Sequence, residues 1–320
     1  MRFGMRQVGI GMLVVGLAMR MPAGEPPAGT EIVHPGDGAI MVYVPAGEFT
    51  MGLDAADVVK IAKDLGYADP EAMWAWEAFP KRVINLPGYF IDQHEVTIER
   101  WQAFVKASGV QTKSNESPQH FDKPDRQLLP AAEMTWEQAG QYATWAGKAL
   151  PTEAQWEKAA RGTDGRLYPW GNESPTWKHG HFGENKNQPG AGEAAKLYTW
   201  VGRYPDGVSP YGALDMLGNQ YEWTSETNFP YPGNPHAEKM KDYAGQMIVL
   251  RGGSWYHGWV GYYAAKRFGF RPTETYYHVG FRTVWTPPEG YFESDDFAQA
   301  RAKVAARKQA LDALRALIKP

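Results

Sequence analysis

The stretch R-G-G-S-W-Y-H-G-W-V-G-Y-Y-A-A-K-R-F-G-F-R-P-T-E-T-Y-Y-H-V-G-F-R, residues 251–282, concentrates chemistry as no other part of the chain does. It holds Ser254, His257 and His278, the arginines Arg251, Arg267, Arg271 and Arg282, and the rings of Trp255, Trp259, Tyr262, Tyr263, Tyr276 and Tyr277. No G-x-S-x-G elbow surrounds Ser254, so a buried hydroxyl satisfying the Arg-Gly-Gly turn accounts for it as well as a nucleophile does. His257 and His278 have two readings. They act as a general base or as copper or iron ligands, or they are hydrogen-bonded rings, since no carboxylate stands at ligand spacing beside them. Arginines around an aromatic cleft hold a carboxylate, phosphate or peptide carbonyl by paired hydrogen bonds, or they lock loops through buried acids. The locking role is expected for Arg251 and Arg282, and a ligand role for Arg267 and Arg271. The aromatic residues suit either a cleft that grips peptide or glycan, or a packed core.

Around this stretch, 320 residues with 13 Trp, 17 Tyr and 35 Gly describe an irregular, loop-rich globular chain anchored by aromatic rings. The net charge of −3 argues neither for a nucleic-acid surface nor for an acidic tail, and no nucleic-acid partner is expected. Cysteine is absent, which removes disulfides, zinc-thiolate sites and thiol nucleophiles together. Arg2 and Arg6 precede the apolar run 8–17, too short to span a bilayer with ease and fitting an export signal. Gly16-Leu-Ala18 or Met21-Pro-Ala23 offers a cleavage site; otherwise residues 1–20 stay as an N-terminal membrane anchor, the chain's one membrane contact. The expected place is the periplasm or the outer face of the inner membrane. Residues 21–38, rich in Pro and Gly, are expected to form a flexible tether.

The domain is expected from residue 39 to residue 286. Residues 40–44 alternate as a strand, and residues 82–86 and 88–92 read as two more. Thr97, Thr135 and Thr152 stand where helix N-caps are wanted, and Gly147 and Gly162 where helices end. Pro287-Pro288 breaks the chain. The segment 295–318 then spaces Phe297, Val304, Leu311 and Ile318 seven apart, predicting one amphipathic helix that packs on its own domain or docks a protein partner.

Several motifs, in one order, resemble the formylglycine-generating enzyme family, also called sulfatase-modifying factors. They are P-A-G-x-F-x-M-G at residues 45–52, L-P-T-E-A-x-W-E-x-A-A-R-G at 150–162, and Asn219, Glu222 and Trp223 of a G-N-x-W-E-W element. Arg251-Gly-Gly-Ser254 and Gly280-Phe-Arg282 complete the set. The resemblance spans residues 40–285 and implies an α+β, C-type-lectin-like fold, with short helices around twisted antiparallel sheet. It also implies an active site at the serine and at two copper-binding cysteines, three and then eight residues later. His257 and Tyr262 stand at those positions, so Ser254, His257 and Tyr262 are the catalytic candidates by position, and copper is not expected because soft Cu(I) wants thiolates.

By the same resemblance a structural calcium would be held by Asp215, the carbonyls of Gly218 and Gln220, and Glu222, with Tyr221 replacing the usual tryptophan. A second calcium would lie near His181 and residues 191–195. The competing reading pairs Glu222 with an arginine such as Arg251. The ligand cleft expected is Trp255, Trp259, Arg267, Arg271 and His278. Two functions follow: an exported binding or accessory subunit that has lost the copper-thiolate centre, or a periplasmic maturation oxidase or transferase acting on a peptide-derived substrate. Iron-dependent sulfoxide synthases join this domain to an N-terminal metal-binding domain with an H-x3-H-x-H-like site, which this sequence does not show.

Overall fold

The strand expected at residues 40–44 forms as β2 (Ile40–Val44), and every side chain along it is buried. A computed structural model describes residues 24–68, 75–112, 123–182, 199–257 and 263–318. In it β2 lies inside an antiparallel sheet ordered β1-β2-β5-β10, with β1 (Glu31–Val33), β5 (Tyr89–Asp92) and β10 (Val284–Trp285). A strand covered on both faces has no reason to alternate, which explains its unbroken apolar run. A hairpin pairs β3 (Gly47–Met51) with β4 (Arg82–Leu86). Between them lies α1 (Ala55–Leu65), opened by an Asp54–Asp57 capping box and closed by left-handed Gly66.

The signature stretch builds the third sheet. Its order is β8-β7-β6-β9, with β6 (Tyr221–Thr227), β7 (Ile248–Arg251), β8 (Phe268–Phe270) and β9 (Val279–Gly280), and β9 runs parallel to β6. Helices α2 (Ile98–Ser108), α3 (Trp136–Trp145) and α4 (Glu153–Arg161) start at Thr97, Thr135 and Thr152, whose hydroxyls each accept the N–H three residues on. One aromatic core joins α4 to the first sheet through Trp156, Tyr89 and Tyr168. A second joins α2 and α3 to the third sheet through Trp101, Tyr142, Trp223 and Phe281. The architecture is the α+β, C-type-lectin-like one that the motifs imply.

Two expectations are corrected. The described part of the supposed tether, residues 24–38, belongs to the domain: β1 pairs with β2 and Ile32 is fully buried. The Pro-Gly turn after β1 is pinned because buried Asp37 receives Lys148 at 2.8 Å, Arg100 at 3.2 Å and the Tyr142 hydroxyl at 2.7 Å. The C-terminal segment is two helices, α5 (Asp295–Ala302) and α6 (Val304–Arg315), broken at Lys303. Phe297 and Ala300 pack with Tyr291 and Phe90, whereas Leu311 packs with Ile40 and Leu128, and one straight helix would not serve both clusters. Its apolar stripe is thus spent on the chain's own surface, reinforced by Arg307 on Glu99 and Lys308 on Glu31. Among the described residues no helix is long and apolar enough to cross a membrane.

Candidate functional site

At the end of β7 two glycines, Gly252 (φ 91°) and Gly253 (φ 72°), turn the chain in left-handed conformations. A Cβ on Gly252 would meet the Met216 carbonyl oxygen and the Trp156 ring at 3.3 Å, so only glycine fits that approach. The turn drives Ser254 into the interior, fully buried, and starts the 3-10 turn Trp255–His257, whose first N–H donates to the Asn219 carbonyl at 3.1 Å. A hydroxyl with no exposure is built for the turn, not for attack on a solvent-borne substrate. The His257 side chain, together with Trp259 and Tyr262, lies outside the described residues.

What the turn presents outward is a cluster of rings. Tyr256 is 54 % and Tyr277 40 % exposed, their rings 5.6 Å apart and perpendicular, with hydroxyls hydrogen-bonded to each other. Beneath them lies His278, only 4 % exposed, stacked on Tyr256 at 4.8 Å and meeting Tyr277 edge-on at 5.2 Å. Trp255 flanks Tyr277 at 5.7 Å, and Tyr276 and Phe270 close the back. Tyr263, read as a cleft residue, is core. His278 therefore serves as the floor of an aromatic surface, and such a surface recognises flat or extended apolar groups while its hydroxyls and indole supply directional hydrogen bonds. His179 and His181 do not converge on it: His179 stacks on Trp170 at 4.2 Å and His181 on Tyr204 at 6.4 Å. Among the described residues no three His, Asp or Glu come together as metal ligands.

The arginines behave unequally. Arg251 donates to Glu157 at 2.8 Å and Glu153 at 3.1 Å, and Arg282 grips both Glu222 oxygens at 2.7 Å, so both lock loops as expected. Glu222 is also held by the Trp156 indole at 2.7 Å, and its arginine partner is Arg282, not Arg251. Arg267 is corrected from ligand arm to structural group. It is 1 % exposed, forks onto Glu153 with two 2.8 Å bonds and stacks over Tyr231 at 4.2 Å. Burial pushes Glu153 up, but Arg267 and Arg251 outweigh it and hold the carboxyl below its ordinary range. Arg271 alone of the four is exposed, and its backbone N–H donates to the Glu274 carboxylate at 3.0 Å.

Taken with this fold, residues 32–287 match the sulfatase-modifying factor enzyme 1-like domain. The chain belongs to that family. It is 30 % identical over 261 residues to hercynine oxygenase of Mycolicibacterium smegmatis, covering 69 % of this chain and 55 % of that protein. It is 28 % identical over 274 residues to the inactive C-alpha-formylglycine-generating enzyme 2 of Mus musculus, covering 67 % and 74 %. The solved structure of PvdO from Pseudomonas aeruginosa has the same fold, with a TM-score of 0.60 at 23 % identity over 81 % of this chain and 99 % of that one. The chain spans about half the length of the hercynine oxygenases it matches.

The loop to which the resemblance assigns a calcium turns at Asp215 and Asn219, both at φ 55°, and at Gly218, at φ 85°. Asp215 Oδ2 accepts the Gly202 N–H at 2.6 Å, and Asn219 Oδ1 accepts that of Thr199 at 3.1 Å. Burial, above all, pushes Asp215 up to about 6. A residue that the motifs passed over faces this loop: Glu95 is fully buried, and neither of its oxygens meets a hydrogen-bond partner. Burial first, then the Asp215 and Glu222 charges, raise its carboxyl well above the ordinary range. Orphaned buried carboxylate oxygens are the donor chemistry that a hard cation such as calcium takes up. Tyr256 and Glu95 are the two site residues missed from sequence. Tyr256 was hidden among its aromatic neighbours, and Glu95 among the polar residues Asp92, Gln93, His94 and Thr97 around it.

Proposed function

We propose that this chain is an exported binding module, an accessory subunit that works in the periplasm or at the outer face of the inner membrane. Its aromatic surface of Trp255, Tyr256, Tyr277 and His278 grips an extended peptide segment of a partner protein. One observation carries this reading: this cysteine-free chain presents, beside the signature turn, two exposed tyrosines around a buried imidazole, Tyr256 stacked on it and Tyr277 edge-on to it. Stacking rings with a few hydroxyls bind without needing a reactive centre. Exposed Arg271, in the same signature stretch, adds a guanidinium for a carboxylate or carbonyl. A structural calcium is part of the proposal, and formylglycine generation is not, because no thiol is available to bind copper. That a 28 % identical relative is named inactive supports a non-catalytic member.

A second reading, a maturation oxidase or transferase on a peptide-derived substrate, is supported by relatives named hercynine oxygenase. Native mass spectrometry of the chain gently extracted from its host separates the two. The binding reading expects a defined partner chain that Tyr256→Ala/Tyr277→Ala releases without loss of folding. Stoichiometric copper or iron on an unpartnered chain, with oxygen uptake on a peptide, would replace it by the second.

A further inference from the structure

Helices α2 and α3 border an open groove of about 800 Å³, within the size range of ligand sites. Trp136 stands at the start of α3 and Trp145 at its end, separated by about 14 Å of helix at ~1.5 Å of rise per residue. Phe104 and Val110 close the α2 side. Both indoles are set in place before anything binds. Trp136 donates its ring N–H to the Thr224 carbonyl at 2.8 Å and its backbone N–H to that of Pro272 at 3.1 Å. Trp145 packs against Phe104 at 5.7 Å and Tyr142 at 5.6 Å, yet remains 37 % exposed. Rings held this way have little freedom left to lose on binding.

Gly140 is the second observation. It lies in the middle of α3, where glycine is a poorer helix residue than alanine. Nothing in the fold asks for it: its φ is not positive, and a Cβ built on it would meet no atom within 4 Å. Gly140 lines the groove, so that Cβ would stand in the groove and make it shallower. The helix gains nothing from glycine here, and the groove gains depth. Among the described residues that line it, Glu137 is the one charged group, and it is exposed. The Thr144 hydroxyl is turned back onto the Gly140 carbonyl at 3.0 Å, which leaves Glu137 and Gln141 to meet the polar part of an occupant. We propose that this groove docks a partner peptide that lays an aromatic side chain against the indoles of Trp136 and Trp145 and sets a lysine or arginine against Glu137. Fixed rings favour a flat group in offset or edge-on contact, and a lone acid favours a cation. The length of the groove suits about four residues of extended chain at ~3.3 Å each. The site shares no residue with the surface of Tyr256 and Tyr277, and the inference does not rest on that reading.

The test follows the tryptophan indole N–H signals of the full chain by two-dimensional NMR, with those of Trp136 and Trp145 assigned through Trp136→Phe and Trp145→Phe. The probe is the peptide acetyl-Gly-Phe-Gly-Lys-amide, added to millimolar concentration. Both signals are expected to shift and saturate, and a probe with alanine in place of phenylalanine, or glutamate in place of lysine, to bind more weakly. Glu137→Gln should weaken the probe by roughly 2–5-fold, as an exposed ion pair allows. Gly140→Leu decides the matter, because leucine is the better helix residue and fills the groove floor. It should melt no lower than wild type and bind the probe at least ~10-fold more weakly. Indole signals that the probe leaves unmoved, or binding that is equal for the alanine and glutamate probes, overturn the proposal. So does wild-type affinity in Gly140→Leu. Shifts of the same two signals with protein concentration alone would give the groove to a second copy of the chain and overturn the peptide assignment as well.

Discussion

Replacing Arg267 by Met tests whether this arginine is an arm of the ligand cleft or a beam of the core. In the structure the substitution strips Glu153 Oε1 of the donor that holds it, and leaves Oε2 with Arg251 at 3.1 Å and Tyr231 at 3.0 Å. The Glu77 carbonyl loses its 3.1 Å donor as well. Glu153 stays buried, at 4 % exposure, so water does not replace what is lost. Breaking one partner of a buried ion pair costs about 3–5 kcal/mol. At ~2.1 cal/mol/K per residue, the unfolding entropy of 320 residues is about 0.7 kcal/mol/K, which turns that cost into a drop in Tm of roughly 4–8 °C. The assay is a double-mutant cycle by calorimetry with Glu153→Gln. The double variant should recover about 1–3 kcal/mol relative to the sum of the singles, since each removes the other's orphan. Partner binding should persist in Arg267→Met below its melting temperature. A variant that melts within about 1 °C of wild type yet loses its ligand would refute the structural assignment.

Two further outcomes are expected. Burial, then the charge of Arg100, push the buried His94 imidazole down to about 3, so the fold keeps it neutral. Its folded value lies below the unfolded ~6.5, so stability declines as pH falls from about 6.5 toward about 3. His94→Gln should flatten that limb of a Tm–pH profile and leave the steeper loss below about 4, which Asp37 and Glu153 cause by being held low in the fold. A limb unchanged in His94→Gln would assign it elsewhere. Leu311→Ala should cost about 2–3 kcal/mol because Leu311 is 4 % exposed against Ile40 and Leu128. Amide exchange across α6 should accelerate selectively, whereas unchanged protection would mean that the helix is held by something other than this contact.

Local signals in the chain were strong where local chemistry decides the outcome. Thr97, Thr135 and Thr152 mark three helix starts because a hydroxyl three residues before an unpaired N–H acts within one turn. Residues 40–44 are legible as a strand, and the ordered motifs between residues 45 and 282 disclose the family before any contact is known. The burial of α4 is not legible in its local sequence. Its Glu153, Glu157, Lys158 and Arg161 look like the solvent-facing polar residues of an isolated helix, yet all four are buried.

The absence of cysteine from these 320 residues is settled by sequence, because composition needs no contacts to be read. Which acid meets which arginine is settled only by the tertiary structure. Arg251 and Glu222 are cross-strand neighbours on β7 and β6, yet their side chains part: Arg251 reaches helix α4, and Glu222 takes an arginine 60 residues further on. Tether composition at residues 24–38 likewise gave no hint that Asp37 would collect a lysine, an arginine and a tyrosine from 63 to 111 residues away. Pairing across such separations depends on where whole elements pack, and no window of sequence contains that. Glu95 is the sharpest instance, an ordinary acid in the chain whose burial among like charges exists only once three distant segments have closed around it.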